Sequence, residues 1–186
     1  MILNRKRGQI WIETVVYTLI GLSLIGLVLG IVTPKINEFK DRSVIEQTID
    51  SLNVFDTKIN EILTAPGNIR ILEFKLKRGD IFFDNVNDEI RFVLDDSRSL
   101  FSEPDIEIEI GEIKVKTKEG TKRHTITLTL KYNNLDLTFE GDNLGESKFS
   151  RAGIPYKFKI ENKGFVDTDI PPDGIKDSQH IDISES

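Results

Sequence analysis

Cysteine is absent from the 186 residues, which removes any disulfide framework, thiolate nucleophile or Cys-based zinc site. Histidine is nearly absent: His124 and His180 lie far apart, with no metal-ligand spacing between them. No Asn-x-Ser or Asn-x-Thr sequon occurs, so N-glycosylation at that signal is not expected. No glycine loop of the phosphate-cradling kind is present, and the Ser and Asp residues sit in turn-rich stretches, where they read as loop punctuation. Glu107 and Glu109 alternate with isoleucines, as on the solvated face of a strand. Acidic residues outnumber basic ones, 31 to 25, for a net charge of −6. Nucleic acid is thereby a poor partner, because phosphate binding needs a basic patch. These absences together predict no catalytic residues and no cofactor.

The most localised absence is charge between Thr14 and Val32. A helix over that run extends roughly 28 Å at about 1.5 Å per residue, close to the hydrocarbon thickness of a bilayer. A secretory signal peptide normally has a shorter apolar region, about 7–15 residues, closed by small residues. Here the run ends Ile31-Val32-Thr33-Pro34, without such a site. A plain single-pass anchor fits the length, but it does not account for the residues just before the run.

Those residues are Arg5-Lys6-Arg7-Gly8-Gln9-Ile10-Trp11-Ile12-Glu13. A carboxylate in a membrane helix costs roughly 2.5–3.5 kcal/mol at the bilayer centre and less near the interface. A cationic partner would offset that cost. Cleavage after Gly8 would make one, an α-amino group on Gln9 one helical turn from Glu13. Attraction at contact distance grows from about 1 kcal/mol in water to about 4 at an effective dielectric of 20, so the pair matters most in a poorly hydrated helix bundle.

In these residues the chain resembles archaeal type IV pilins and pilin-like proteins, with their class III (prepilin-type) signal peptide. The family pattern is a basic residue, Gly, a cut, then Gln-x-Ser-x-Glu-x-x-x-Leu. Arg7, Gly8, Gln9 and Glu13 match it in register; Trp11 stands where the family has Ser, and Tyr17 where it has Leu. The resemblance covers about the first quarter of the chain. It implies a leader, residues 1–8 with basic Arg5, Lys6 and Arg7, removed between Gly8 and Gln9 by a membrane-embedded prepilin peptidase of the aspartic type. It further implies that the mature helix waits in the membrane and then joins other pilin-like subunits in a cell-surface filament, with Glu13 neutralising a new amino terminus. Removing the leader would move the net charge from −6 to −9. The bulk of the chain would lie outside the cytoplasm. Lys and Arg counts alone lean only weakly that way, since Lys35, Lys40 and Arg42 follow the run on its other side.

Within the apolar run, Gly26 and Gly30 form a Gly-x-x-x-Gly pair that allows close approach of helices. Residues 9–33 are therefore read as the transmembrane helix and 34–66 as an amphipathic stem. In the stem, Ile45, Ile49, Leu52, Phe55, Ile59 and Ile62 recur at steps of three and four. Pro34 between the segments kinks rather than ends the helix, and Ala65-Pro66-Gly67 stops it.

From residue 67 to 166 the apolar period falls to two. About eight strands are expected: around Leu72–Lys77, Ile81–Phe83, Glu89–Leu94, Asp105–Ile110, Glu112–Thr117, His124–Tyr132, Leu135–Glu140 and Ile154–Glu161. Arg78-Gly79-Asp80 reads as a turn between strands rather than as a cell-attachment tripeptide. Asn133-Asn134 reads as a two-residue hairpin turn. The fold class expected is α+β, a long N-terminal transmembrane and stem helix followed by an antiparallel β-sandwich head. Residues 167–186 read as an acidic, solvated tail. Asp167, Asp169, Asp173 and Asp177 loosely resemble a calcium loop, but two extra residues, both prolines among them, spoil the register.

Two functions from different classes follow: a pilin-like structural subunit, or a membrane-anchored extracytoplasmic binding module that never polymerises.

Overall fold

The computed structural model describes residues 5–143, 145–165 and 178–186, with side chains from Trp11 onward. The chain is α+β: among the described residues, helix α1 (Arg5–Ile62) precedes ten strands. These are β1 (Ile69–Phe74), β2 (Asp80–Asp84), β3 (Glu89–Ser97), β4 (Glu107–Ile110), β5 (Ile113–Glu119), β6 (His124–Lys131), β7 (Leu135–Phe139), β8 (Glu146–Ser150), β9 (Tyr156–Phe165) and β10 (Gln179–Glu185). They form a six-stranded sheet in the order β4-β5-β6-β3-β2-β8 and a four-stranded sheet in the order β1-β9-β10-β7. Two compact units emerge, Met1–Lys40 and Asp41–Ser186. The helix runs through Pro34 without interruption.

In the sheet-rich unit the stripe Ile45, Ile49, Leu52, Phe55, Ile59 and Ile62 is buried. Each such side chain taken from water contributes on the order of 1.5–3 kcal/mol. Phe55 stands between the sheets, 5.8 Å from the ring of Phe83 on β2 and 6.2 Å from that of Phe158 on β9. The core is therefore shared by the helix and both sheets, rather than made by two sheet faces alone. Polar side chains close the end of the helix. Asn162 on β9, fully buried, donates its amide to the carbonyls of Ile62 (2.7 Å) and Ala65 (3.1 Å). Gln179 donates to the carbonyl of Leu63 at 3.0 Å. Carbonyls that the helix itself leaves unpaired are thus satisfied from the four-stranded sheet.

The structure corrects the sequence reading at four places. First, Asn133-Asn134 does not close a hairpin. Strand β6 is already paired on both edges, with β5 and β3, so β7 has no edge to join and crosses to the other sheet. Asp88, in the turn between β2 and β3, secures the crossing: its carboxylate accepts the Leu137 N–H at 2.8 Å and its carbonyl the Tyr132 N–H at 2.9 Å. Second, the sheets are antiparallel except for one parallel pair, β7 with β10.

Third, the stretch read as a solvated tail, 167–186, ends in strand β10. This strand lies between β9 and β7, with Ile181 and Ile183 in the core. Acidic composition concealed the Ile-x-Ile alternation. The charge of Asp182 is met by the Thr138 hydroxyl at 3.0 Å and the Gly141 N–H at 2.8 Å. The calcium candidates Asp167, Asp169, Asp173 and Asp177 lie outside the described residues. Fourth, strand β8 was unread, because Glu146–Ser150 alternates exposed and half-buried residues and carries one aromatic, Phe149.

Candidate functional site

The residues expected to act are on α1. From Trp11 to Ile36 every residue except Gly21 is exposed. Trp11 is 71% accessible and Tyr17 73%. By length and composition this part of the helix could cross a membrane, and none of its most apolar stretch is buried. An exposed apolar surface of this length is far beyond the scattered apolar residues of an ordinary protein surface. Thr18 and Thr33 return their hydroxyls to the carbonyls of Thr14 and Leu29 (2.8 and 2.7 Å), so neither presents an unpaired donor along the apolar run. Val16, Leu19, Ile20, Ser23, Leu24 and Leu27 line a shallow depression on one face.

Arg5, Lys6, Arg7, Gly8 and Gln9 lie in the helical backbone, so the expected cleavage junction is inside α1 while the leader is attached. Glu13 is exposed, and among the described residues it has no ion-pair partner. It stands one turn beyond Gln9 on the same face. Gly26 and Gly30 open onto empty space: a Cβ at either would meet nothing within 4 Å.

Residues to which the sequence assigned no anchoring role hold the remainder of the helix. Asp41, 4% exposed, accepts from the Arg78 guanidinium and from the Arg98 backbone N–H, the latter at 2.7 Å. Arg78 also donates to the Asp96 carbonyl at 2.8 Å. The tripeptide 78–80 is therefore a structural junction: Arg78 holds the helix, Gly79 makes the turn and Asp80 pairs with Lys148 at 2.9 Å. Gly79 has φ +82, and a Cβ there would stand 2.6 Å from the Phe92 ring. At the other end of this helical stretch, Tyr132 donates to Asp56 at 3.1 Å. Burial, reinforced by the Asp56 charge, raises the Tyr132 pKa above the ordinary tyrosine range.

The two histidines stay apart, on β6 and β10, and Glu107 and Glu109 lie on the exposed face of the edge strand β4. Glu107 is paired with Lys114 at 3.2 Å. His180 faces Thr138 at 2.8 Å, with Asp136 at 3.6 Å from its other ring nitrogen. Among the described residues no group of three or more His, Asp or Glu side chains is placed to hold a metal.

No protein-family profile, curated protein or solved structure matches this chain.

Proposed function

We propose that the protein is a pilin-like structural subunit of an extracellular, type IV pilus-like filament, made as a single-pass membrane precursor. In this reading prepilin peptidase cuts between Gly8 and Gln9, the N-terminus is cytoplasmic, and the sheet-rich unit is a β-sandwich-like head outside the membrane. The helices of many copies then pack together, with Glu13 answering the charge of the new amino terminus. One observation carries the proposal: α1 is bare from Trp11 to Ile36 and without charge from Thr14 to Pro34, while its later turns supply the core of a folded head. A helix so divided needs a second apolar environment, and a bilayer followed by a helix bundle provides one. The Gly8-Gln9-x-x-x-Glu13 arrangement supplies the processing step.

The second reading is a tether: a head fixed to the membrane by an uncut helix, binding a ligand or serving a filament machine as an accessory. Trp11 and Tyr17 favour it, since large amphipathic rings suit a membrane interface. Mass spectrometry of the mature N-terminus separates the two. Gln9 as first residue supports processing; an intact chain retaining Arg5-Lys6-Arg7 overturns the filament proposal in favour of the tether.

A further inference from the structure

Strand β10 is the last of the ten strands among the described residues, yet it occupies an interior position of its sheet. It pairs antiparallel with β9 and parallel with β7, so without it the four-stranded sheet would be split in two. Its neighbours read its sequence closely. Ile181 and Ile183 enter the core at 0% and 1% exposure. The Thr138 hydroxyl meets His180 at 2.8 Å and Asp182 at 3.0 Å, and the Gly141 N–H meets Asp182 at 2.8 Å. The Ile183 carbonyl accepts the Glu140 N–H at 2.8 Å, and the Gln179 amide donates to the Leu63 carbonyl at 3.0 Å. The gap between β7 and β9 is thus a slot for an extended segment reading amide, imidazole, Ile, carboxylate, Ile.

The connection leading into that slot is out of proportion to its task. Adjacent antiparallel strands such as β9 and β10 need a hairpin of roughly 2–5 residues. Here residues 166–178 intervene. At about 3.4 Å per residue such a segment reaches roughly 40 Å when extended, about the diameter of a small domain or more. Pairing with β9 and β7 and the contacts to Thr138, Gly141 and Leu63 hold β10 in the slot, and the same contacts would be made by β10 of another copy.

We infer that the slot between β7 and β9 is a strand-binding site, and that β10 of a second copy of this chain fills it when copies are crowded together. Exchange of an identical element creates no new contact and loses none, so its cost is that of association. Copies held in one membrane or one polymer offset this through their high effective concentration. Such exchange would tie head to head independently of α1, and it holds whether or not the helices build a filament.

Cysteine-free chemistry makes the test clean. Lys159 and Ser184 are register partners across β9 and β10. Full-length Lys159→Cys and Ser184→Cys chains are co-expressed, extracted in mild detergent, oxidised and run without reductant. Exchange predicts a disulfide-linked dimer from this pair, and none when Lys116→Cys, on the exposed face of β5, replaces Lys159→Cys. The single-chain Lys159→Cys/Ser184→Cys variant reports the alternative, an internal bridge. A co-expressed pair that stays monomeric while the double variant closes internally overturns the inference. A dimer equally abundant with Lys116→Cys overturns it too, and failure of the double variant to bridge either way removes β10 from the slot altogether. Filaments are scored separately by electron microscopy, so loss of the filament reading leaves this result interpretable.

Discussion

Arg78 reaches across the sheet-rich unit to the buried carboxylate of Asp41, joining the turn before β2 to the helix thirty-seven residues earlier in the chain. Asp41 is also the first residue of the compact sheet-rich unit, so the anchoring of α1 in that unit begins with this pair. Asp41→Ala leaves the Arg98 N–H and the Arg78 guanidinium without their acceptor. Loss of a buried partner costs about 3–5 kcal/mol, but Arg78 is 38% exposed and recovers water. A destabilisation of about 2 kcal/mol is expected, read as a lowered midpoint in chemical unfolding of the detergent-solubilised chain. An unchanged midpoint would refute the anchoring role.

Gly79 makes the turn beside that pair. Its φ of +82 and the contact of only 2.6 Å that a Cβ would make with the Phe92 ring leave no room for a side chain. Gly79→Ala is expected to cost about 2–4 kcal/mol, combining left-handed strain with overpacking. Gly67, also at positive φ but with nothing within 4 Å, supplies the control: Gly67→Ala should cost only about 1 kcal/mol.

Tyr132 is buried against Asp56, and its pKa is raised by that burial first and by the Asp56 charge second. A raised pKa favours the neutral phenol in the folded state. Its stabilising contribution is complete below the ordinary tyrosine value of about 10 and declines as pH rises above it. Tyr132→Phe should lose about 1 kcal/mol at neutral pH for the missing hydrogen bond. Above about pH 10 the wild-type chain should approach the variant, because only the wild type has this phenol to ionise. Parallel unfolding curves through pH 11 would exclude the effect.

Acid should act through half-buried carboxylates that basic side chains pair. Lys163 and Lys159 hydrogen bonds hold Glu161 below its usual value of 4.5, and Lys58 and Arg70 do the same for Glu61. A lowered pKa means stability present above about 4.5 and lost as pH falls through the folded-state values. Solvent screening keeps the Glu161 share small, under about 1 kcal/mol. Glu161→Gln should therefore flatten the decline in melting temperature between pH 5 and about pH 3 slightly, without altering it above pH 6.

Glu13 provides the prediction that bears on assembly. Glu13→Ala removes the charge proposed to meet the terminal ammonium while keeping the helix and the Gly8-Gln9 junction. Processing to Gln9 should continue, and filament yield should fall at least tenfold by electron microscopy of overproducing cells. Ordinary yield from this variant would dispose of the charge-pair mechanism.

Local pattern carried much of this protein. A run without charge and a 3.6-residue stripe are properties of neighbouring residues, so Thr14–Val32 and Ile45–Ile62 could be read as helix directly. Eight strands were legible for the same reason, their two-residue alternation being strong. The roles expected of Gly8, Gln9 and Glu13 rest on sequence alone; the geometry adds only that their backbone belongs to one helix.

Tertiary structure decided what depends on distant residues. Whether Asn133-Asn134 closes a hairpin turned on the edges of β6, which β3 and β5 had already taken. Whether the last acidic residues are tail or strand turned on Thr138 and Gly141, which donate hydrogen bonds to Asp182 from about forty residues away in the chain. Asp41 reads as one more polar helix residue until Arg78 arrives beside it. Helix and strand periods report local geometry, whereas edge occupancy and the compensation of buried charge arise only when remote segments meet.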